Sequence, residues 1–594
     1  MNWRNYYEKA SIDRNFRKIK NSYSQTEDIV QHSKINSLWE QEASIRKKLK
    51  KLESMKDENI RNFKEVYNNY SHLLDYISKK LVKNYNIKHN TNFDFYEIIK
   101  GNRKNYLKSG IMSVLITRHI PTMIFKEFDR IFPKNPKDEY KEVRHMNRKF
   151  YLHLGETNTG KTYNSMERLK ESKKGIYLSP LRILALENFE KLNKEGIMCN
   201  LITGEEEIKK EKAQHVCCTI EKLDINEEYD VAIIDEIQMI DDDQRGSAWT
   251  RAILALRCKE IHVCGALNTK ELIINIIEDC GDEYELKEYF RNIPLKIEEE
   301  AFKLKDIKKG DALVTFSKKK VLQLADYYGD LGIKTSVIYG NLPPEVRKKQ
   351  YEQFMSGDTN ILITTDAIGM GVNLPIRRIV FMDIRKFDGN DMRYLTSQEI
   401  KQIGGRAGRL GIYDIGYLAS YGNTQNFVKE MIEVYDRKIY EAVIEPSEAI
   451  LDVKSLPLRE KLALWSTREE KSLLYRKMDI GEKILVLDSI KNYKLPEKYQ
   501  WQLLKVPFDV TNINIMNAFL KYVNEIFIGN FKSISKPRLN SKDLYDLELY
   551  YQKLNLYYSL SKNFNLDFDE SWVYDERTKL SIEINKVLRK RFSF

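Results

Sequence analysis

No apolar run in this chain approaches the ~20 residues that a membrane-spanning helix needs, so a helical membrane protein is not expected. Histidine is absent after His262, which excludes histidine-based catalysis from the second half. Cysteine is scarce as well. The six (Cys199, Cys217, Cys218, Cys258, Cys264 and Cys280) share one central region without a CxxC pair, so the spacing of a zinc or dithiol motif is missing. Several sit inside apolar runs and read as buried free thiols, which fits a reducing compartment. The opening Met1 to Lys9 lacks a secretory apolar core and carries acid at Glu8. Together these absences predict a cytoplasmic protein with no membrane partner.

What is present is a long, soluble, basic chain. Its 594 residues exceed one core, so three or four domains are expected. A hydrophobic content of 42% with mean hydropathy −0.54 describes a globular protein. The net charge of +12 is uneven: residues 1–150 hold 32 Lys+Arg against 18 Asp+Glu, a surplus of +14, and the remainder is −2. A basic N-terminal quarter suits a polyanion, and equally a solvated helical face.

Residues 1–147 read as a helical N-terminal domain, with Ser37 to Asn84 amphipathic and free of proline. Over 148–300 strand and helix alternate, with strands at Lys149–Leu154, Gly175–Leu178, Val216–Ile220, Val231–Asp235 and Ile261–Cys264. A charged linker, Tyr284 to Gly310, follows. Alternation resumes over 301–425, with strands at Ala312–Phe316, Thr335–Tyr339, Ile361–Thr364, Ile379–Met382 and Ile415–Ser420. Residues 426–594 read as a helical C-terminal domain. The predicted fold is therefore α/β, two tandem parallel-sheet domains flanked by helical N- and C-terminal domains.

Three motifs carry the chemistry. Gly155-Glu156-Thr157-Asn158-Thr159-Gly160-Lys161-Thr162 fits GxxxxGK[ST] between a predicted strand and helix. Gly155 and Gly160 permit the tight turn that aims successive N–H groups at phosphates. Lys161 supplies a mobile charge for the outer phosphates of ATP, and the Thr162 hydroxyl a ligand for Mg²⁺. The second motif, about seventy residues on, is the strand Val231 to Ile234 ending in Asp235-Glu236-Ile-Gln238. A strand end at the carboxyl edge of a sheet is where ligands bind. Asp235 suits Mg²⁺, Glu236 suits a water-activating base, and Gln238 suits coupling to the neighbouring domain. The third, Gln402-Ile-Gly-Gly-Arg406-Ala-Gly-Arg409, places two arginines three apart, expected on one helical face. Guanidinium groups there could stabilise γ-phosphate charge across a cleft. Cys264 to Asn268 receives no role.

The order of these motifs, with Pro180 to Ala185, Thr203-Gly204-Glu205-Glu206, Cys218 to Glu221 and Thr365 to Asn373, resembles superfamily two helicases. More narrowly it is similar to the mitochondrial degradosome (suppressor-of-Var) RNA helicases, in their bacterial branch. Met146 to Lys149, Val337 to Glu345 and Leu456 to Leu462 add to the likeness, which covers about 144–465. Glu156 and Thr159 depart from the usual Pro and Ser, and Gly404 from Ala.

The resemblance implies an ATP-dependent helicase on single-stranded or tailed duplex RNA, 3′ to 5′, with an exoribonuclease as partner. It implies nucleic-acid contacts at Arg182, Thr203, Gly204, Thr219, Ser317 and Thr365, and ATP contacts at Gly371 and Asn373. A DNA helicase or translocase, and a non-catalytic nucleic-acid scaffold, are the alternatives. Intact Lys161, Asp235, Glu236, Arg406 and Arg409 oppose the scaffold.

Overall fold

The computed structural model describes residues 3–56, 58, 60–89, 92–119, 128–291, 293–369, 374–389, 391–409, 411–454, 456–468, 472–529 and 532–592. The chain divides into two compact units. One comprises Met1–Lys134, Pro446–Lys471 and Asp479–Ile484; the other comprises Asn135–Glu445, Ser472–Met478 and Leu485–Phe594.

The first unit is helical. Helix Leu38–Glu53 buries Leu38, Glu42, Ile45, Leu49 and Leu52, a spacing that keeps one face inward. That face packs against helix Phe63–His89, and helix Leu458–Thr467 packs against Ile111–His119. Glu42 is buried, but its Oε1 accepts from the Ile111 backbone N–H at 2.7 Å and from Ser78 at 3.2 Å. Burial holds this carboxyl above the usual carboxylate range.

The second unit contains both sheets. Lobe one has β1 (Lys149–Gly155), β2 (Gly175–Ser179), β3 (Cys199–Ile202), β4 (Glu207–Ile208), β5 (His215–Thr219), β6 (Glu228–Ile234), β7 (Arg257–Gly265) and β8 (Glu283–Tyr289). Their order is β4-β3-β5-β2-β6-β7-β1-β8, parallel except for β4 against β3. Lobe two has β9 (Leu295–Ile297), β10 (Asp311–Val314), β11 (Thr335–Ile338), β12 (Ile361–Thr364) and β13 (Arg378–Phe381). A small hairpin, β14 (Arg385–Phe387) and β15 (Met392–Tyr394), precedes β16 (Gly416–Ser420). The order is β11-β12-β10-β13-β16-β9, every pairing parallel. These are the two parallel sheets that alternating apolar strands predict, in the RecA-like form that the helicase resemblance implies.

The helices that matter for the site are α1 (Lys161–Lys170), α2 (Arg182–Lys194), α3 (Gly246–Ala255), α4 (Lys318–Asp330), α5 (Pro344–Ser356) and α6 (Ser397–Gly404). Near the C-terminus come α7 (Leu544–Asn563) and α8 (Glu570–Phe592). Leu547, Tyr550, Leu554, Leu580 and Ile584 from this pair share one core with Leu313, Val337 and Val346 of lobe two. Buried Glu548 accepts from Lys318 and, at 2.7 Å, from the Tyr339 hydroxyl.

The charged linker expected from Tyr284 to Gly310 holds two strands. β8 closes the edge of lobe one and β9 the edge of lobe two, so the lobes meet within six residues. Along β8 burial is sparse and only Tyr289 is enclosed. An edge strand exposed on one side needs no apolar run, which is why its sequence looks like a linker.

Candidate nucleotide and nucleic-acid sites

The phosphate loop forms where β1 turns into α1. Asn158 (φ 64°) and Gly160 (φ 82°) both adopt the left-handed backbone region, and Gly160 caps α1. Gly155 answers a different demand, close approach. A Cβ there would lie 2.0 Å from the Tyr289 carbonyl oxygen of the adjacent β8. Lys161 opens α1 and folds back on its own loop, donating to the Gly155 carbonyl at 2.9 Å and to that of Glu156. Burial pulls its ammonium below the usual lysine range, opposed by Glu236.

The end of β6 meets this loop. In the sheet, β7 lies between β6 and β1, so two strand ends flank one groove. The Thr162 hydroxyl donates to Asp235 Oδ1 at 3.1 Å. Asp235 also accepts from the Tyr177 hydroxyl at 2.8 Å and from the Glu236 N–H at 3.0 Å, while its carbonyl accepts from Trp249 of α3 at 2.8 Å. Burial, then the neighbouring Glu236, push the Asp235 carboxyl up to about 6, and the three donors oppose this. Glu236 itself takes a left-handed φ of 51°. That turn starts a short 3₁₀ segment, Ile237–Asp241, and brings Gln238 back to donate to Glu236.

Lobe two contributes the loop after α6. Helix α6 starts with a reciprocal Thr396–Glu399 cap and ends at Gly404. Arg406 and Arg409 therefore lie beyond the helix, correcting the expectation that they share a helical face. Gly408 is left-handed (φ 77°) and a Cβ on it would meet Gly416 at 2.8 Å, so the chain must turn away there. Arg406, before this turn, reaches lobe one. Its guanidinium donates to the Gly369 carbonyl at 2.6 Å and stands 3.7 Å from Glu236 Oε1. Gln402 and Arg409 are half-buried. Gly371 and Asn373 lie outside the described residues.

The residues expected to face nucleic acid cluster at strand ends. Thr203 and Gly204 follow β3, Thr219 ends β5, Ser317 precedes α4 and Thr365 follows β12. Arg182 opens α2, but its guanidinium is saturated. It pairs with Glu205 at 2.5 Å, Glu206 at 2.9 Å and Glu345 of lobe two at 2.8 Å, and donates to the Tyr551 hydroxyl of α7 at 2.9 Å. Ser559 of α7 donates to the Gly204 carbonyl at 3.1 Å, and Arg577 of α8 to that of Glu205 at 2.6 Å. The C-terminal helices thus touch both lobes at this edge.

Two contributors escape sequence reasoning. Asn268, in the stretch given no role, donates to Gln398 of α6 at 3.3 Å, and Gln238 reaches the same stretch by accepting from the Ala266 N–H at 3.1 Å. Tyr177 lies in an apolar strand where nothing marks its hydroxyl as the partner of Asp235. Only the neighbouring of β2 and β6 reveals it.

Comparison with known proteins finds three matched segments. Residues 136–289 match the DEXQ-box helicase domain of Suv3, 296–411 the helicase conserved C-terminal domain, and 544–590 the ATP-dependent RNA helicase SUV3 C-terminal domain. The last match lies beyond the 144–465 stretch that carries the sequence likeness. The mitochondrial ATP-dependent RNA helicase SUV3 of Candida albicans is 44% identical over 300 residues, covering 50% of this chain and 41% of that one. The mitochondrial SUV3L of Oryza sativa is 34% identical over 462 residues, covering 73% and 61%. The mitochondrial SUPV3L1 of Danio rerio is 33% identical over 465 residues, also covering 73% and 61%. The chain thus spans about half the length of these relatives. They come from a yeast, a plant and a fish and lend no support to a bacterial branch. Their names, all mitochondrial, overturn the expectation of a cytoplasmic protein. Five of the six thiols are buried, which any packed core explains without choosing a compartment. By its three matched segments in this order, the chain is similar to the SUV3 DEXQ-box helicases of superfamily two.

Proposed function

We propose that this protein is an ATP-driven helicase that tracks single-stranded RNA, 3′ to 5′, and unwinds tailed duplexes. The observation that carries this reading is the convergence of three motifs. Thr162 and Asp235 meet at 3.1 Å, while Arg406 from the other lobe stands 3.7 Å from Glu236. Lys161 leaves the loop carbonyls for the outer phosphates of ATP, and the loop N–H groups hold the rest. The Thr162 hydroxyl and the Asp235 carboxylate are hard oxygen donors that fit Mg²⁺. When bound, that ion supplies charge neutralisation on the phosphates. Glu236, steadied by Gln238, takes the proton of the attacking water. Arg406, Arg409 and Gln402 stabilise charge that develops on the γ-phosphate, and Gly371 and Asn373 complete the nucleotide contacts.

RNA follows the strand ends at Thr203, Gly204, Thr219, Ser317 and Thr365, where hydroxyl and backbone groups suit phosphate and sugar without reading bases. Arg182 joins them when a phosphate replaces its carboxylate partners. An exoribonuclease partner belongs to the same reading through the family resemblance, and co-purification with the tagged protein tests it.

The decisive experiment pairs two assays. ATP turnover is measured with and without RNA for the wild type and Lys161→Ala. Unwinding is compared on RNA and DNA duplexes carrying either overhang. RNA-stimulated turnover lost in Lys161→Ala, with RNA unwound from a 3′ overhang, is the expected result. Preference for DNA would favour the DNA helicase reading. RNA binding without turnover would favour the scaffold.

A further inference from the structure

The phosphate loop touches lobe two through the residues that GxxxxGK[ST] leaves free. Asn158 Nδ2 donates to the Gly408 carbonyl at 2.9 Å, and a Cβ on Gly405 would meet the Thr157 side chain at 2.8 Å. Glu156 acts through an intermediary. Its backbone N–H donates to the Tyr289 carbonyl at 3.1 Å, and its Oε2 accepts the Arg291 backbone N–H at 2.7 Å.

Arg291 is the first residue but one after β8, where the chain leaves lobe one for lobe two. Its guanidinium donates to the Gly405 carbonyl at 2.6 Å, to that of Ala407, and to that of Ile293 at 2.5 Å. The two carbonyls from lobe two flank Arg406. A planar fork that spans both pins the Gly405–Arg406 and Ala407–Gly408 peptides, which bracket the Arg406–Ala407 unit. Arg291 thus grips the backbone around Arg406 with its side chain and the phosphate loop with its own N–H.

We propose that Arg291 is a positioning residue that sets Arg406 against the nucleotide and ties this placement, through Glu156, to the phosphate loop. The proposal rests on the ATPase reading above. In it, a shift of the loop around phosphates moves Glu156, and the move reaches Arg406 through one side chain. The departure of Glu156 from the usual proline then has a use. Proline offers no carboxylate to the linker and no N–H to Tyr289.

The test uses the full chain with Arg291→Ala, Arg291→Lys and Glu156→Ala. Four quantities are read: ATP affinity, RNA-stimulated kcat, the gain in RNA affinity on adding a non-hydrolysable ATP analogue, and thermal midpoint. Arg291→Ala should keep ATP affinity within about twofold, since the phosphate loop is untouched. It should lower kcat by up to about 10²-fold, the cost of misplacing a reacting group by about 1 Å, and abolish the analogue-dependent gain in RNA affinity. Arg291→Lys should recover only part, because one ammonium cannot fork across two carbonyls. Glu156 is exposed, so Glu156→Ala, which removes the acceptor of the Arg291 N–H, leaves folding intact even if Arg291→Ala unfolds. It should weaken the gain in RNA affinity while kcat falls less. Wild-type kcat and coupling in Arg291→Ala, or normal coupling in Glu156→Ala if Arg291→Ala does not fold, would overturn the proposal while leaving the ATPase reading intact. A wild type without turnover would instead remove that reading, and the proposal with it.

Discussion

Removing one hydroxyl from Tyr177 should move the pH dependence of turnover. Asp235 is enclosed and holds three donors, of which the Tyr177 hydroxyl at 2.8 Å is the shortest. Burial and Glu236 raise the carboxyl to about 6, so at neutral pH it is mostly ionised with little margin. A hydrogen bond to a charged group contributes about 1.5–3 kcal/mol. Since one pKa unit corresponds to ~1.36 kcal/mol, Tyr177→Phe should raise the midpoint by about 1–2 units. The ring stays, so packing is conserved. The acidic limb of kcat/KM against pH should shift upward by that amount, with activity mostly lost at pH ~6.5 and recovered at pH ~8.5, about one unit either side of a shifted midpoint of ~7.5. The sign for stability follows from the same shift. A carboxyl whose folded pKa exceeds its unfolded value binds protons more tightly when folded. Its contribution is fullest below the unfolded pKa and is lost as pH rises through about 6. Steady-state turnover from pH 5.5 to 9 is the assay. An unmoved acidic limb in a folded Tyr177→Phe would refute the claim that this hydroxyl holds Asp235 ionised.

Glu236→Gln should bind ATP and RNA normally but lose turnover by about 10²–10⁴-fold, because the amide cannot accept a proton; equilibrium binding beside turnover checks it. Arg406→Ala should lower RNA-stimulated kcat by about 10³-fold or more with ATP binding retained, and a near-normal rate would place this arginine away from the reaction. Gly155→Ala should abolish ATP binding, since its Cβ would sit 2.0 Å from the Tyr289 carbonyl oxygen; nucleotide titration reads this directly. Arg148→Met should cost about 3–5 kcal/mol, as expected when a buried charge loses its partner. Arg148 is 2% exposed and donates to Asp282 and to the Ile253 and Leu256 carbonyls. A thermal midpoint unchanged by the substitution would contradict that assignment.

The local pattern determined a good deal. Continuous apolar runs such as Gly175–Ser179 can only be buried on both faces, so they had to be central parallel strands. The glycine spacing of the phosphate loop and the acids at the end of β6 are local chemistry, complete within a few residues. Tertiary structure decided whatever depends on neighbours distant in sequence. The edge strand β8 carries charge along an exposed face and reads as a linker until β1 pairs with it. The helix expected through Arg406 and Arg409 stops at Gly404, because packing of Gly408 on Gly416 demands a turn that periodicity cannot register. Arg182 looks like an open phosphate ligand, yet Glu345 and Tyr551 arrive from 163 and 369 residues away to occupy it. Arg291 is an unremarked residue in a charged stretch whose role exists only because two lobes meet around it. Side chains that serve their own strand or loop can be read in sequence. Those that bridge lobes cannot, because the partners are chosen by the fold.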